Sequence, residues 1–171
     1  MRKKIAMTYA QKKTINSAGF SLTELLIAIV IVGILSAVAL PNYFNQVQRS
    51  RQSQVVAFIE QMMIRVSAYK DETGVNPTTW EDLSDISAIM TDNGPAGGHN
   101  GDITSAIGLP GSDYRLARSN NNDTTNNYYE FIAKDPNNLE YNVTACIDLE
   151  NGASDLKIGT ITSAPGKLVC R

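Results

Sequence analysis

The chain of 171 residues holds one histidine, His99, and two cysteines, Cys146 and Cys170. No zinc centre built from several cysteines and histidines can be assembled from so few ligands, and His99 has no cysteine or paired carboxylates at ligand spacing, which argues against a zinc site and a histidine-based triad. Charge of one sign is not in excess either. Fifteen basic and 17 acidic side chains leave a formal −2, without the basic surplus of a dedicated nucleic-acid binder. Hydrophobic residues at 43%, charged residues at 19% and aromatics at 7% exclude collagen-like, coiled-coil and wholly disordered chains. The length suits one ordinary domain. Residues 94–101 are glycine-rich but lack the Lys-Ser/Thr ending of a phosphate loop, and Asp82, Asp85 and Asp92 follow no calcium-loop pattern. No catalytic residue, metal or cofactor is therefore expected, and the chain reads as a non-enzyme.

Two local absences carry more information. The first 19 residues contain no acid, while five bases, Arg2, Lys3, Lys4, Lys12 and Lys13, lie among them. After Glu24, residues 25–48 contain no charge at all. At about 1.5 Å per helical residue that stretch reaches roughly 36 Å, enough to cross a hydrocarbon core of about 30 Å. Basic residues ahead of an apolar run stay on the cytoplasmic side, so the remainder of the chain is expected to face outward. In an oxidising compartment Cys146 and Cys170 read as a disulfide closing a loop worth roughly 3 kcal/mol, with two inert thiols as the alternative.

Ala37-Val38-Ala39 fits the small-residue pattern of a secretory cleavage site, which would place a mature terminus at Leu40. Glu24 runs against that reading, because a carboxylate at the edge of an apolar run is unfavourable and usually has a partner. Its local explanation is a capping box, Ser21-Leu22-Thr23-Glu24, satisfying amide donors at a helix start.

The segment GFSLTELLIAIVIVGILSAVALPNY, residues 19–43, closely resembles the N-terminal signature of type IV pilins. The likeness lies in a basic leader ending in Gly19, an aromatic Phe20, glutamate as the fifth residue after the glycine, and Pro41 closing the apolar run, and it covers about a quarter of the chain. It implies cleavage between Gly19 and Phe20 by a prepilin peptidase and methylation of the new Phe20 amine. The apolar run then stays as a membrane anchor in lipid and later as the core of a homopolymeric filament, assembled by inner-membrane machinery with its ATPases. Gly33 and Pro41 disfavour a continuous helix, and in the family this stretch can unwind on assembly. The C-terminal cysteine pair resembles the family's disulfide-bounded region.

Beyond Pro41, Phe44, Val47, Val55, Phe58, Met62, Val66 and Tyr69 recur at helical spacing, with Arg49, Arg51, Gln52, Gln54, Glu60 and Arg65 on the polar face. The helix should end by Gly74, with Pro77 beyond. Thr78 to Glu81 and Thr79 to Asp82 have capping-box spacing and open a short helix, in which Trp80 is a packing anchor. Residues 91–111 read as an irregular loop, and strands are expected over 114–117, 128–133, 139–147 and 156–161. The expected fold is α+β: a long N-terminal helix packed on an antiparallel sheet of about four strands. Its segments are a basic leader (1–19), an apolar transmembrane or filament-core helix (20–41), an amphipathic half (42–74), an αβ connecting region (75–112) and the sheet with its disulfide-bounded end (113–171).

The resulting expectation is a type IV pilin precursor with roles in motility, adhesion or DNA uptake, although no residue pattern supports a DNA partner. Its alternatives are a minor pilin, a pseudopilin of type II secretion, and a membrane-anchored or secreted binding or sensor domain. Asn122-Asp123-Thr124 and Asn142-Val143-Thr144 match a glycosylation triplet by composition alone.

Overall fold

In the computed structural model, which describes residues 19–119, 127–159 and 168–170, helix α1 runs from Leu22–Thr73. Ser21 and Glu24 cap its start. At its end the Gly74 amide donates to the Lys70 carbonyl at 2.8 Å, and Gly74 takes the positive φ of 73° that lets the chain leave the helix. The interruption expected at Gly33 and Pro41 is not seen in the isolated chain, where the helix passes through both. Proline removes one amide donor there, and Asn42 Nδ2 donates to the Val38 carbonyl at 3.2 Å, adding a hydrogen bond in the turn that proline weakens.

The chain forms two compact units, Met1–Asn42 and Tyr43–Arg171. The described part of the first is the apolar start of α1, whose aliphatic side chains are exposed. The second has its own core. Val55, Ile59, Met62, Met63 and Val66 of α1 are buried at helical spacing, whereas Phe58 is only partly covered and Phe44 is exposed. Ile59 and Met63 thus join the centre of the seam, which sits slightly to one side of the Phe44–Phe58 line expected from spacing.

Helix α2, Trp80–Ile86, opens with the expected Thr79/Asp82 capping box. Asp82 Oδ2 accepts from both the Thr78 and the Thr79 amides, at 2.7 and 2.8 Å. Trp80 is fully buried and its Nε1 donates to the Ser105 carbonyl at 2.8 Å, so it anchors the connecting region as expected.

That region is more ordered than its composition suggests. Strands β1 (Met90–Thr91) and β2 (Gly94–Pro95) form a small hairpin, and β3 (Ile107–Gly108) begins the main sheet. With β4 (Arg115–Arg118), β5 (Tyr128–Lys134), β6 (Val143–Asp148) and β7 (Ser154–Ile158) the sheet has five antiparallel strands in chain order. The fold class is the α+β arrangement expected, with one strand more than the four inferred. β3 escaped the sequence reading because two residues carry no periodicity. It also depends on Gly108: a Cβ there would collide with the Asp92 carboxylate, while the Asp92 amide donates to the Gly108 carbonyl at 3.0 Å. The strand expected from 139 starts at Val143 instead, because Asn138 caps a 3-10 turn at Leu139–Tyr141. The end of the strand expected over 156–161 lies partly outside the described residues.

Leu116, Tyr129, Phe131, Ala133, Val143 and Ala145 join the α1 seam in one core. On β6, alternate residues Thr144, Cys146 and Asp148 are buried as well. Cys146 and Cys170 are disulfide-bonded, with Cα atoms 6.1 Å apart. The Val169 amide donates to Asp155 Oδ2 at 3.0 Å on neighbouring β7.

Two buried tyrosines tie loops to this core. Tyr129 Oη donates to the Pro77 carbonyl at 2.8 Å and Tyr114 Oη to the Tyr141 carbonyl at 2.9 Å. Burial pushes both phenols up to about 12 from an ordinary value of 10.0, with Arg118, stacked over the Tyr129 ring at 4.1 Å, opposing the rise there. A raised folded value means the phenol's contribution is fully present below pH 10.0 and is lost as pH rises towards about 12. Tyr129→Phe should therefore lower stability by about 1 kcal/mol at neutral pH and flatten the alkaline fall, as read by urea unfolding of the full chain in detergent through Trp80 fluorescence. Replacing both cysteines by serine should lower the same midpoint by about 3 kcal/mol.

Candidate functional site

The start of α1 brings Ser21 and Glu24 together. The Ser21 amide donates to Glu24 Oε2 at 2.8 Å, and the Glu24 amide donates to Ser21 Oγ at 3.2 Å. This reciprocal pair satisfies two of the amides that every helix start leaves open, and it places the carboxylate where the helix dipole favours an anion. Glu24 therefore has a local structural role in the isolated chain.

Immediately upstream the backbone is accessible. Phe20 is 88% exposed, and a Cβ built on Gly19 would meet nothing within 4 Å. The Gly19–Phe20 peptide thus lies in the open, one residue before the helix cap. Accessible backbone next to a fixed secondary structure is what a peptidase needs, because the scissile bond can enter a cleft without unfolding the helix.

Downstream, α1 provides the stretch among the described residues that is long and apolar enough to cross a membrane. Leu25, Leu26, Ile27, Ile29, Val30, Ile31, Val32, Ile34 and Leu35 are all exposed, distributed round the helix and not along one stripe. An all-round apolar helix needs an apolar environment on every side. Gly33 leaves a gap on that surface, with nothing near its missing side chain. Gly33, Pro41, Ser36 and the carboxylate at the cap are the polar or conformational irregularities between Glu24 and Pro41; the rest is aliphatic.

The second unit provides no comparable chemistry. Among the described residues no group of three His, Cys, Asp or Glu side chains is placed to hold a metal ion. Asp92 pairs with Arg115 at 3.4 Å. Burial pushes the Asp82 carboxyl up, but the amide hydrogen bonds from Thr78 and Thr79, together with their hydroxyls, outweigh it and hold Asp82 below the ordinary carboxylate value. Its task is therefore capping. Asn142 is only 2% exposed and its Oδ1 accepts from the Asp135 amide at 2.8 Å, so this triplet offers no accessible glycan acceptor. The triplet at Asn122 lies outside the described residues, as do Arg2, Lys3, Lys4, Lys12 and Lys13. One feature that spacing did not indicate is the Asn42 bond to Val38, although an asparagine directly after a helical proline was a signal available in the sequence.

Comparison with known proteins places the likeness on the same segment. Residues 15–40 match the family described as "Prokaryotic N-terminal methylation motif". The chain is 37% identical over 97 residues to "Fimbrial protein EcpC" of Eikenella corrodens, an alignment covering 52% of this chain and 61% of that protein. It is 42% identical over 59 residues to "Type IV major pilin protein PilE" of Neisseria gonorrhoeae, covering 34% of this chain and 35% of that protein. It is also 30% identical over 84 residues to "Type II secretion system core protein G" of Vibrio cholerae serotype O1, covering 49% and 58%. The matches therefore span less than two thirds of these relatives' lengths. No solved structure matches the chain at the significance these relatives reach. The methylation motif over an exposed Gly19–Phe20 junction, together with the similarity to fimbrial and pilin proteins, supports a type IV pilin precursor.

Proposed function

We propose that the chain is a structural pilin subunit, cut between Gly19 and Phe20, methylated on the Phe20 amine by a prepilin peptidase, and polymerised with copies of itself into a surface filament. The observation that carries this reading is the methylation motif lying on an accessible peptide that leads directly into an all-round apolar helix. Before assembly that helix lies in the inner membrane with the second unit outside; afterwards it packs among its neighbours in the filament core. The inner-membrane assembly machinery with its ATPases supplies the work, and the subunit performs no catalysis.

Within this reading Glu24 has a second task. Packing of apolar helices sets no axial register, whereas a carboxylate removed from water demands a cation, and the nearest new one is the Phe20 amine of an adjacent subunit. A subunit out of register leaves the carboxylate buried alone, an arrangement that is strongly unfavourable. Gly33 and Pro41 then serve as the place where α1 extends when a subunit moves from lipid into the polymer. Motility, adhesion and DNA uptake are the roles such a filament can serve.

The likeness to a type II secretion core protein favours one second reading, a pseudopilin or minor subunit that uses the same leader and glutamate but stays in the envelope. Mass spectrometry of the mature protein tests the processing: the expected terminus is a methylated Phe20 in a chain running from residue 20, while an intact Met1 or a terminus at Leu40 overturns it. Sheared surface fibres rich in this chain support the major-pilin reading, and its retention in the envelope supports the pseudopilin.

Two variants separate the roles of Glu24. Glu24→Gln keeps an acceptor for the Ser21 amide but removes the charge, and Glu24→Ala removes both. Both should be processed and inserted normally and both should be absent from filaments. Filaments from Glu24→Gln at the wild-type yield would reduce Glu24 to a helix cap.

A further inference from the structure

The second unit carries two small surfaces of opposite character near opposite ends of its stretch of α1. The first is a groove of about 540 Å³ lined by Arg49, Gln52 and Val56 of α1, by Glu140 and Tyr141 of the 3-10 turn, and by Ile158 at the end of β7. Gln52 Nε2 donates to the Glu140 carbonyl at 3.4 Å and fixes one wall. Leu139 and Ile158 beside it are 49% and 56% exposed, so apolar surface flanks the arginine. Arg51 does not line the groove but lies near Tyr114, whose hydroxyl donates to the Tyr141 carbonyl, so it adds a second cation close by; Glu140 on the rim leaves the patch with a net single positive charge.

The second surface is the corner where α1 ends. Asp71 and Glu72 are exposed, and Val75, three residues past Glu72, is 63% exposed. Lys70 is held by Asn76 Oδ1 at 2.7 Å, so its charge is drawn to the inner side of the corner. Acidic residues in the last turn oppose the helix dipole, which gives them no stabilising role within their own helix. Among the described residues Arg49, Arg51, Asp71 and Glu72 enter no ion pair.

We infer that these two surfaces dock on each other between copies of this chain, the Asp71–Val75 corner of one subunit entering the Arg49 groove of the next. This rests on the polymer reading and names the contact between the second units that it requires. Charge and apolarity both match: two carboxylates with a valine meet two guanidiniums with Leu139, Ile158 and Val56. From Phe20 onward the chain carries ten basic and 17 acidic side chains, a formal −7, so copies repel one another except where a minority cation is presented. The contact joins two different patches, which makes it head-to-tail, and such contacts continue without closing. Residues 49 and 72 are 23 positions apart in α1, about 35 Å along the axis, which is the axial offset of the pair joined by this contact; the pair joined by Glu24 and the Phe20 amine, about 6 Å apart axially, is a different one.

The test uses the full chain in cells that assemble it. Arg49→Glu with Arg51→Glu should lower the yield of sheared filaments about tenfold or more while the amount in the membrane is unchanged, and Asp71→Arg with Glu72→Arg should do the same. All four substitutions together should restore the yield to within about threefold, because the attraction is reinstated with its direction reversed. A second measurement reads the contact directly: a chain carrying Ser53→Cys and Val75→Cys should give a ladder of covalent multimers when intact filaments are oxidised, and neither single variant should extend beyond dimers. Wild-type yield from either charge-reversed pair, loss without rescue in the fourfold variant, or filaments that yield no ladder overturn the docking while leaving the polymer reading intact. Absence of filaments from the unaltered chain overturns both.

Discussion

Eleven large aliphatic side chains between Leu25 and Leu40 stand exposed on a helix that carries no charge between Glu24 and Arg49. Full burial of each contributes roughly 1.5 to 3 kcal/mol, so covering them is worth on the order of 20 kcal/mol, more than the net stability of a typical domain. Nothing in the described part of the first unit can supply that cover, since a single helix has no inside. The surroundings must do so, as lipid or as other helices, and every other property of the segment is subject to this demand. It explains why α1 tolerates a proline: at the membrane interior an intact helix is the only way for the backbone to satisfy its own polar groups, and losing one hydrogen bond at Pro41 is minor beside exposing several. It also explains why a carboxylate can stand only at the helix start, where Ser21 and the open amides compensate it.

The two readings of Glu24 are compatible because they act in different states and with different magnitudes. As a cap it stabilises the helix start by about 1 kcal/mol, an amount that the helix could lose without unfolding. Enclosed among apolar helices without a cation, the same carboxylate is disfavoured by several kcal/mol. In the proposed filament the second quantity would govern which neighbours a subunit accepts, and the first only how well its helix begins. A residue can therefore look fully explained in the isolated chain and still be selected for by assembly.

How much could be read in advance follows the range over which each signal acts. The helix from Ser21 to Gly74 was legible because charge segregation, a cap, apolar spacing and a terminal glycine all agree over some fifty residues. Strands β5 and β6 were legible from β-branched and aromatic runs such as Tyr128-Tyr129-Glu130-Phe131-Ile132. Strand β3 was not, because its information lies outside its two residues, in the absence of a side chain at Gly108 that lets Asp92 approach and in Leu116 opposite Ile107. The same holds for the start of β6: Leu139 and Tyr141 look like strand residues, but Asn138 diverts them into a 3-10 turn. At the N-terminus the Ser21–Glu24 cap was readable residue by residue, since it acts through sequence-local geometry. The Arg49 groove was not readable, because Glu140, Tyr141 and Ile158 reach it only through the fold.

That contrast bears on what a filament of such subunits needs from each part. The apolar helix supplies most of the cohesion, but cohesion between aliphatic surfaces is indifferent to sliding and rotation. Geometry has to come from groups that are unfavourable when misplaced, and in this chain those are few: one carboxylate at the start of α1 and two arginines on a surface where acids outnumber bases. In the proposed filament the excess of acids from Phe20 onward keeps copies apart at random encounters. Against that background a local positive patch discriminates, since an orientation that brings acid to acid is repelled and the one that brings Asp71 and Glu72 to Arg49 and Arg51 is not. The near-neutral total of the whole chain conceals this arrangement, because five of its fifteen cations lie in the first 19 residues, and the functional content of the charge is its placement and not its sum.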